Sequence, residues 1–269
     1  MLRNEGDALR RVLVCPPGRE YVTYDDPRDH NIAEPADLGR AREQHARLRE
    51  LLALHGAEVI TVPELPGHPN SVFARDPAVV TPRGFVELRM GLPTRRGEEG
   101  WFARYLEELG VPRAGRIEPP GTVEGGDVIL AGRVAFLGLS ARSNGDGVRQ
   151  MKGILEHMGY EVRIASVPSP YLHIGGAMSM VAPDRVLACA GVFPKRFFDG
   201  FDVIEVPPAD FVSGNVICLR PNEVLVEAAQ EVAAERLREA GVEVHSVDLS
   251  EFVKGSGGPT CLILPVERG

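Results

Sequence analysis

The sequence predicts an α/β fold in which five similar ββαβ units form a pseudosymmetric α/β propeller around a central channel. We expect one catalytic domain spanning residues 1–269. Three observations lead to this prediction: a hairpin pattern occurs four times, helical and short strand patterns separate the hairpins, and the two chain ends together supply a fifth unit. A repeat of about 40 to 50 residues is typical of circular arrays.

The hairpin pattern is the clearest repeat. Each copy has two short apolar runs around a turn that contains Gly, Pro, Asn or Asp, which is the signature of two paired strands. The copies are AVVTPRGFVEL at 78–88, DVILAGRVAFLGL at 127–139, AMSMVAPDRVLACA at 177–190 and NVICLRPNEVLVEA at 215–228.

Helical patterns follow three of the four hairpins. They cover residues 97–110, 143–159 and 226–241, and Gly241 is placed as a helix stop. The third hairpin is followed only by the short segment KRFFDG. Short strands are expected after the second, third and fourth hairpins, at 161–167, 201–207 and 242–247.

The chain ends provide the remaining unit. The strand CLILPV at 261–266 is expected to pair with RVLVCPP at 11–17, and a helix at 38–56 and a strand at 57–63 complete the unit. Pairing the two ends removes an open sheet edge. An open α/β sheet is the alternative, and it explains the alternation of helices and strands but not the recurring hairpins.

Composition and charge exclude several classes of function. The chain is 43% hydrophobic and 25% charged with a net charge of −8, and it has no basic run, so nucleic acid is not an expected partner. It has neither a signal-peptide pattern nor an apolar stretch long enough for a membrane helix. We therefore expect a cytoplasmic protein without a membrane partner.

The four cysteines are Cys15, Cys189, Cys218 and Cys261, and they form no C-x-x-C pair. Neither a zinc site nor a disulfide framework is therefore predicted. The first three lie inside apolar runs, as buried structural thiols do.

Reactive residue types occupy equivalent positions in the five units, just before the first strand of each. These residues are Asp76, Glu124, His173, Asn215 and Cys261. In a circular array such positions face the same channel, so the five side chains are expected to meet near the axis. Taken singly, each has an ordinary structural explanation, such as a turn, a salt bridge, a buried histidine or a core thiol. Their common register favours a functional site.

The predicted combination suits attack on a guanidinium group. A thiolate is a strong nucleophile, and a histidine can protonate a leaving amine. Buried carboxylates need a cationic partner, and a planar guanidinium binds carboxylates in a bidentate manner. Cys261, His173, Asp76 and Glu124 together therefore predict a guanidino substrate.

The motifs F-x-R-D-P, E-G-G-D-V, G-L-S-x-R-x-N-x-x-G, H-I-x-x-x-x-S-M and the late T-C resemble the guanidino-modifying enzyme superfamily. This superfamily includes arginine deiminases, amidinotransferases and dimethylarginine dimethylaminohydrolases, and the resemblance is strongest to the last group. The resemblance covers about residues 11 to 266 and implies a five-unit α/β propeller that uses no metal and no organic cofactor.

The resemblance also implies individual roles. Cys261 corresponds to the nucleophile that forms a covalent thiouronium intermediate, and His173 to the general acid and base. Asp76 and Glu124 correspond to guanidinium ligands, whereas Arg96 and Arg142 correspond to the arginines that hold the substrate's α-carboxylate. Asp127 of the EGGD motif is expected only to support the site.

Three positions depart from the family patterns. Gly175 replaces the Asp that deiminases and amidinotransferases place two residues after the histidine, which favours a bulkier methylated substrate. Asn70 and Arg75 replace an Asp and a Glu of the dimethylarginine enzymes and resemble the deiminases instead. The preferred substrate is therefore an Nω-methylated arginine, with deimination of free arginine or amidino transfer as the alternative.

A binding protein that holds a guanidino ligand or a protein partner without turnover is a further alternative. It is disfavoured because binding alone requires neither Cys261 nor His173. The polar segment 21–38 is the predicted lid, and the oligomeric state is left open between a monomer and a homodimer.

Overall fold

The computed structural model describes all 269 residues and contains fifteen β-strands. The strands are β1 (Leu9–Val14), β2 (Glu58–Thr61), β3 (Ala78–Thr81), β4 (Gly84–Glu87), β5 (Arg113–Arg116), β6 (Val128–Ala131), β7 (Val134–Leu139), β8 (Glu161–Ser166), β9 (Met178–Ala182), β10 (Arg185–Cys189), β11 (Asp202–Val206), β12 (Val216–Arg220), β13 (Glu223–Glu227), β14 (Glu243–Val247) and β15 (Leu264–Arg268).

The strands form five separate three-stranded sheets, ordered β15-β1-β2, β3-β4-β5, β6-β7-β8, β9-β10-β11 and β12-β13-β14. In every sheet the first pair is antiparallel and the second pair is parallel. The first and last strands of the chain pair in one sheet, as expected. The predicted propeller of five similar units is confirmed.

Six α-helices accompany the sheets: α1 (Leu38–Leu54), α2 (Glu98–Glu108), α3 (Gly145–His157), α4 (Ile174–Ala177), α5 (Glu231–Glu239) and α6 (Ser250–Val253). The longer ones connect the second and third strands of a unit, because a parallel pair requires a crossover connection. Asp37 and Asn144 cap α1 and α3 by accepting backbone N–H bonds, a typical way to satisfy a helix N-terminus.

One detail differs from the sequence prediction. The strand β5 was not predicted because its sequence, RAGR, has no apolar pattern, and it forms by pairing in parallel with β4.

The third unit has no crossover helix, in agreement with the short KRFFDG segment in the sequence, and aromatic rings fill that space. Phe193 stacks on Phe197, and Phe198 packs edge-on against both. Phe197 and Phe198 also lie against Phe136 in the neighbouring sheet.

Buried apolar clusters lie between neighbouring units. The largest joins Phe102 and Leu106 of α2 to Met151 and Leu155 of α3, with side chains from both adjoining sheets. Three further clusters link the other neighbours in the same way. Each unit thus buries its apolar face against the next, which fixes the loops at the strand ends relative to one another.

None of the helices combines the length and the apolarity needed to cross a membrane.

Candidate active site

A short helix or 3₁₀ turn precedes the first strand in four of the five units, and a turn at 211–214 precedes β12. The predicted site residues lie in or just after these segments. Asp76 lies two residues before β3, and Glu124 begins the 3₁₀ turn Gly125–Asp127 before β6. His173 begins α4 ahead of β9, and Cys261 lies in the 3₁₀ turn Pro259–Leu262 ahead of β15. The common register predicted from the sequence therefore has a structural basis.

Asp76, Glu124 and His173 converge, since their reactive oxygen and nitrogen atoms all lie within 4.8 Å of one another. The Nε2 atom of His173 lies 2.8 Å from Oε2 of Glu124. Oε1 of Glu124 accepts bonds from the backbone N–H groups of Gly91 and Leu92. Both oxygens of this fully buried carboxylate are thus engaged, and Glu124 orients the imidazole.

The two glycines of the EGGD motif are required by close packing. A Cβ atom on Gly126 would lie 2.7 Å from the ring of His173, and one on Gly125 would lie 2.1 Å from the carbonyl oxygen of Arg75. The backbone N–H of Gly126 also donates to Oδ1 of Asp76 over 3.1 Å. The glycines therefore let the histidine and the aspartate approach the same backbone turn.

Asp127 fixes the position of His173 through the residue that follows it. Its Oδ2 accepts hydrogen bonds from the hydroxyls of Ser140 and Ser143, each at 2.6 Å, and its Oδ1 accepts from the N–H of Ile174. Because Ile174 directly follows His173, the buried carboxylate fixes the start of α4. The supporting position expected for Asp127 agrees with these contacts.

Cys261 differs from the other three cysteines, which are buried, in being partly accessible. Its Sγ accepts a weak hydrogen bond from the N–H of Gly258 at 3.4 Å. Asn215 fixes the preceding residue, since its Oδ1 accepts from the N–H of Thr260 and its Nδ2 donates to the Thr260 hydroxyl. The residues that immediately precede Cys261 are thus held in place.

The charges of the site favour an imidazolium and a neutral thiol. Burial alone would lower the pKa of His173, but the carboxylates of Asp76, Asp127 and Glu124 outweigh it and raise this pKa to about 9. Burial and the negative charge of Asp76 raise the pKa of Cys261 to about 11, against the opposing effects of the Gly258 N–H, Arg75 and Arg95. At neutral pH His173 is therefore protonated and the thiol keeps its proton.

Glu124 behaves in the opposite way to a simple buried acid. Burial would raise its pKa, but the hydrogen bond and charge of His173, together with Arg95 and Arg142, hold that pKa well below its usual range. The ionised carboxylate and the imidazolium stabilise each other as a buried pair.

Arg95 occupies a position that the sequence analysis did not identify. Its Nη1 donates to Oδ2 of Asp76 over 2.6 Å, and its Nε and Nη2 bond to both carboxylate oxygens of Glu98. All three side chains are buried. Burial would lower the pKa of Arg95, yet the neighbouring carboxylates of Glu98, Asp76 and Glu124 raise it. Asp76 thus already binds a guanidinium in this structure.

The structure separates the two arginines of the TRRG segment. Arg95 lines the cavity beside Cys261, whereas Arg96 is exposed, donates from Nε to the carbonyl of Met90 and is not brought to the cavity. The family resemblance implied Arg96, because the motif contains two adjacent arginines and does not distinguish between them. The signal that distinguishes them is Glu98, which lies three residues after Arg95 and holds its side chain inward. Arg142 does line the cavity, and its Nη1 lies 3.6 Å from Oε1 of Glu124.

The structure also separates Asn70 from Arg75. Asn70 is buried at the cavity; its Nδ2 donates to the carbonyl of His30, and its Oδ1 has no hydrogen-bond partner. Arg75 faces the channel instead, where its guanidinium binds Glu5 and the carbonyls of Gly125 and Val128. The Arg75 side chain therefore lies outside the cavity, although its backbone N–H donates to the carbonyl of Cys261 over 3.1 Å. Of the predicted site residues, Arg96 alone is brought neither to the cavity nor into contact with the residues that support it.

Two small cavities border both His173 and Cys261, each of about 20 Å³. A cavity of this size holds about one water molecule. The first cavity is lined in part by His30 and Asn31, which lie in the predicted lid segment 21–38, and by the loop at 255–257. The second lies beside Gly175 and is bordered by Leu172, Phe211 and Val212. A substrate as large as an amino acid therefore requires segments that line these cavities to move.

Comparison with known proteins places the chain among guanidino-processing enzymes. The sequence model of the arginine deiminase family matches residues 62–197 and 199–268. A protein of Pseudomonas aeruginosa named N(G),N(G)-dimethylarginine dimethylaminohydrolase is 31% identical over 260 residues, covering 95% of this chain and 99% of that protein. A Streptomyces coelicolor protein of the same name is 31% identical over 234 residues, covering 87% and 88%.

The fold comparison agrees with the sequence comparison. The dimethylarginine dimethylaminohydrolase of Pseudomonas aeruginosa, solved as a mutant complexed with citrulline, superposes with a TM-score of 0.84. The two chains are 29% identical, and the match covers 96% of this chain and 99% of the other.

Proposed function

Because this chain belongs to the arginine deiminase family, we propose that it hydrolyses a carbon–nitrogen bond of a guanidino compound through a covalent intermediate on Cys261. The preferred substrate is an Nω-methylated arginine, which would yield citrulline and methylamine or dimethylamine. Two relatives named dimethylarginine dimethylaminohydrolase match this chain over most of its length, and they support this choice.

One observation carries the proposal more than any other. The carboxylate of Asp76 binds a guanidinium group, that of Arg95, at the cavity that Cys261 and His173 also line. An ionised carboxylate has about four lone-pair positions, and Asp76 uses one for Arg95 and one for Gly126. Asp76 can therefore accept a substrate guanidinium beside Arg95 or in its place.

The residues provide a complete reaction sequence. The Cys261 thiolate attacks the guanidinium carbon, the C–N bond to the methylated nitrogen breaks, and imidazolium His173 protonates the departing amine. The remaining carbon is bound to sulfur as a thiouronium group. Water then attacks that carbon and gives one proton to His173. The C–S bond breaks as the carbonyl forms, and the second proton of the water returns to the sulfur, which restores the imidazolium and the thiol.

The protonation states at rest suit this sequence. His173 carries its proton until the pH rises through about 9, so the acid for the first step is already present. The thiol must lose its proton, and an incoming guanidinium would favour the thiolate by placing a positive charge beside it. Nε2 of His173 is held by Glu124, so Nδ1 is left to exchange protons with the substrate.

The surroundings of Gly175 support a methylated substrate. This residue has no side chain and borders the second cavity, where Phe211 and Val212 provide apolar surface beside the polar Asn215 and Thr260. Apolar surface without an additional carboxylate suits methyl groups on the guanidinium nitrogen better than the extra N–H donors of unmethylated arginine.

Free arginine is the second candidate substrate. Asn70 and Arg75 resemble the deiminase pattern, and the unpartnered Oδ1 of Asn70 at the cavity can accept a bond from a substrate ammonium or guanidinium. Binding without turnover is less well supported, because it gives no reason for a partly accessible thiol beside a buried imidazolium.

Turnover of a substrate panel tests the proposal. Monomethylarginine, asymmetric dimethylarginine and arginine should each be assayed for citrulline and for the released amine, with and without an acceptor amine. We expect the methylated substrates to have the higher kcat/KM and product formation to be independent of the acceptor. A preference for arginine would favour deimination, acceptor-dependent products would favour amidino transfer, and binding without any citrulline would refute the hydrolase.

We also propose a cytoplasmic location, since the four free thiols suit a reducing compartment.

A further inference from the structure

A second group of ligand-type residues lies far from the cavity, between α1 and the sheet β12-β13-β14. It consists of His55 immediately after α1, Glu223 at the start of β13 and His245 within β14. The proposed reaction uses none of these side chains, and the sequence analysis predicted no metal site because it considered only cysteine pairs and the family resemblance.

Both imidazoles point to the same carboxylate oxygen. Nδ1 of His55 lies 2.6 Å and Nε2 of His245 lies 3.1 Å from Oε1 of Glu223. The three atoms lie within 4.8 Å of one another, and the two rings are 4.2 Å apart between centroids. Two nitrogen atoms and one oxygen atom thus converge from two neighbouring units of the propeller.

These distances are close to those of a zinc site. Tetrahedral Zn²⁺ binds imidazole nitrogen and carboxylate oxygen at about 2.0–2.2 Å, which places the ligand atoms about 3.3 Å apart. Small side-chain rotations from the observed separations would produce this spacing. The accessible side-chain fractions are 12% for His55, 7% for Glu223 and 25% for His245, so the group is shielded yet remains reachable by an ion.

Arg220 and Glu243 set the charges around the three side chains. Nε of Arg220 forms an ion pair with Oε2 of Glu223, and its Nη2 donates to Oε1 over 3.4 Å, so the arginine orients the carboxylate with Oε1 also facing the histidines. Hydrogen-bonded carboxylates of this kind are usual among metal ligands. Oε1 of Glu243 lies 3.5 Å from Nε2 of His245 and supplies a second negative charge beside the site.

We propose that His55, Glu223 and His245 form a binding site for Zn²⁺ or a similar divalent transition-metal ion, with Glu243 or water as the fourth ligand. The ion would join α1, in the unit that contains both chain ends, to the preceding unit of the propeller. Its effect would be on stability rather than on the reaction, because a bound ion shifts the folding equilibrium toward the folded state.

Titration of metal-free protein with Zn²⁺ tests the proposal. We expect one equivalent to bind and to raise the Tm, and both effects to be lost in His55→Gln and in His245→Gln. His157→Gln is the matched control, since His157 is an exposed histidine on α3, and it should bind Zn²⁺ as the unaltered protein does. Co²⁺ added to Cys261→Ser should give the visible absorption bands of a four- or five-coordinate site with nitrogen and oxygen ligands. The three proposed ligands are unaltered in this variant.

Three results would overturn the proposal. One is the absence of any bound equivalent in the unaltered protein. Another is a Zn²⁺ equivalent that persists in both histidine variants. The third is a Zn²⁺ equivalent that is lost in Cys261→Ser but kept in His55→Gln, because the ion would then belong to the active-site cavity. Turnover without added metal should be unchanged in His55→Gln and His245→Gln, so this test is independent of the proposed hydrolase activity.

Discussion

The imidazole Nε2 of His173 lies 2.8 Å from a carboxylate oxygen of Glu124, although the two residues are 49 positions apart in the chain. Each begins the short turn that precedes the first strand of its own unit. The repeat thus places an acid and a base from neighbouring units in contact. Together with the charges of Asp76 and Asp127, this contact raises the pKa of the histidine and gives the site its protonated acid.

Replacing Glu124 by Gln should weaken that acid. Asp76 and Asp127 still raise the pKa of His173 in this variant, but the hydrogen bond and the charge of Glu124 are lost. The pKa therefore falls below about 9, and the imidazolium is lost at a lower pH. We expect kcat to fall roughly 100-fold and the alkaline limb of the kcat/KM profile to move to lower pH. A drop in activity with an unchanged alkaline limb would show that Glu124 does not set this pKa.

Chloroacetamidine and chloroacetamide are a matched pair of reagents that tests the charge of the site. With a pKa of about 11, only about one thiol in 10⁴ is ionised at pH 7. The uncharged amide should therefore react slowly, and its rate should rise with pH up to the thiol pKa. The cationic amidine should react much faster at pH 7, because its charge beside Asp76 favours the thiolate.

Peptide mass spectrometry locates this labelling. Cys261 should carry the amidine label, while the buried Cys15, Cys189 and Cys218 stay unmodified. The preference for the amidine should disappear in Asp76→Asn. Equal rates for the two reagents at Cys261 would mean that the cavity does not select a guanidinium-like cation.

Arg95 should contribute strongly to stability through Glu98. Replacing Arg95 by Met leaves Glu98 buried and without its bidentate partner, and breaking a buried ion pair costs about 3–5 kcal/mol. Urea denaturation should show this loss. The double variant Arg95→Met/Glu98→Gln should recover the part that arises from Glu98, while Asp76 still lacks its arginine partner. Equal stability of the single and double variants would contradict the assigned pairing.

Gly175 should influence which guanidino substrate is preferred. A Cβ there would lie 3.1 Å from the carbonyl oxygen of Gly126, so any side chain requires a small adjustment, and Gly175→Ala controls for it. Relative to Gly175→Ala, Gly175→Asp should lower kcat/KM for dimethylarginine about tenfold more than for arginine. Parallel losses for both substrates would show that this position does not discriminate between them.

The sequence predicted the fold and the principal side chains because both depend on the repeat. Four hairpins and two complementary chain ends sufficed to define five units, and the common register identified Asp76, Glu124, His173 and Cys261. The polar strand β5 was missed because it has no apolar pattern and is specified by its pairing with β4.

The sequence could not determine where individual side chains point. Arg95 and Arg96 are adjacent and chemically equal, and only the turn Pro93–Arg95 and the position of Glu98 direct the first inward. Similarly, Arg75 lies in the same segment before β3 as Asp76, but its side chain binds Glu5 in the channel. The cluster of His55, Glu223 and His245 was invisible because a helix end and two strands from different parts of the chain form it.

The most direct test of the account is to trap the covalent intermediate. The enzyme should be mixed with dimethylarginine and quenched in acid within the first turnovers. After digestion, the mass of the peptide that contains Cys261 should be measured by mass spectrometry. We predict a mass increase on Cys261 that matches the thiouronium group left after loss of dimethylamine, and no turnover in Cys261→Ser. Citrulline production without any adduct on this peptide, together with an active Cys261→Ser variant, would contradict the account.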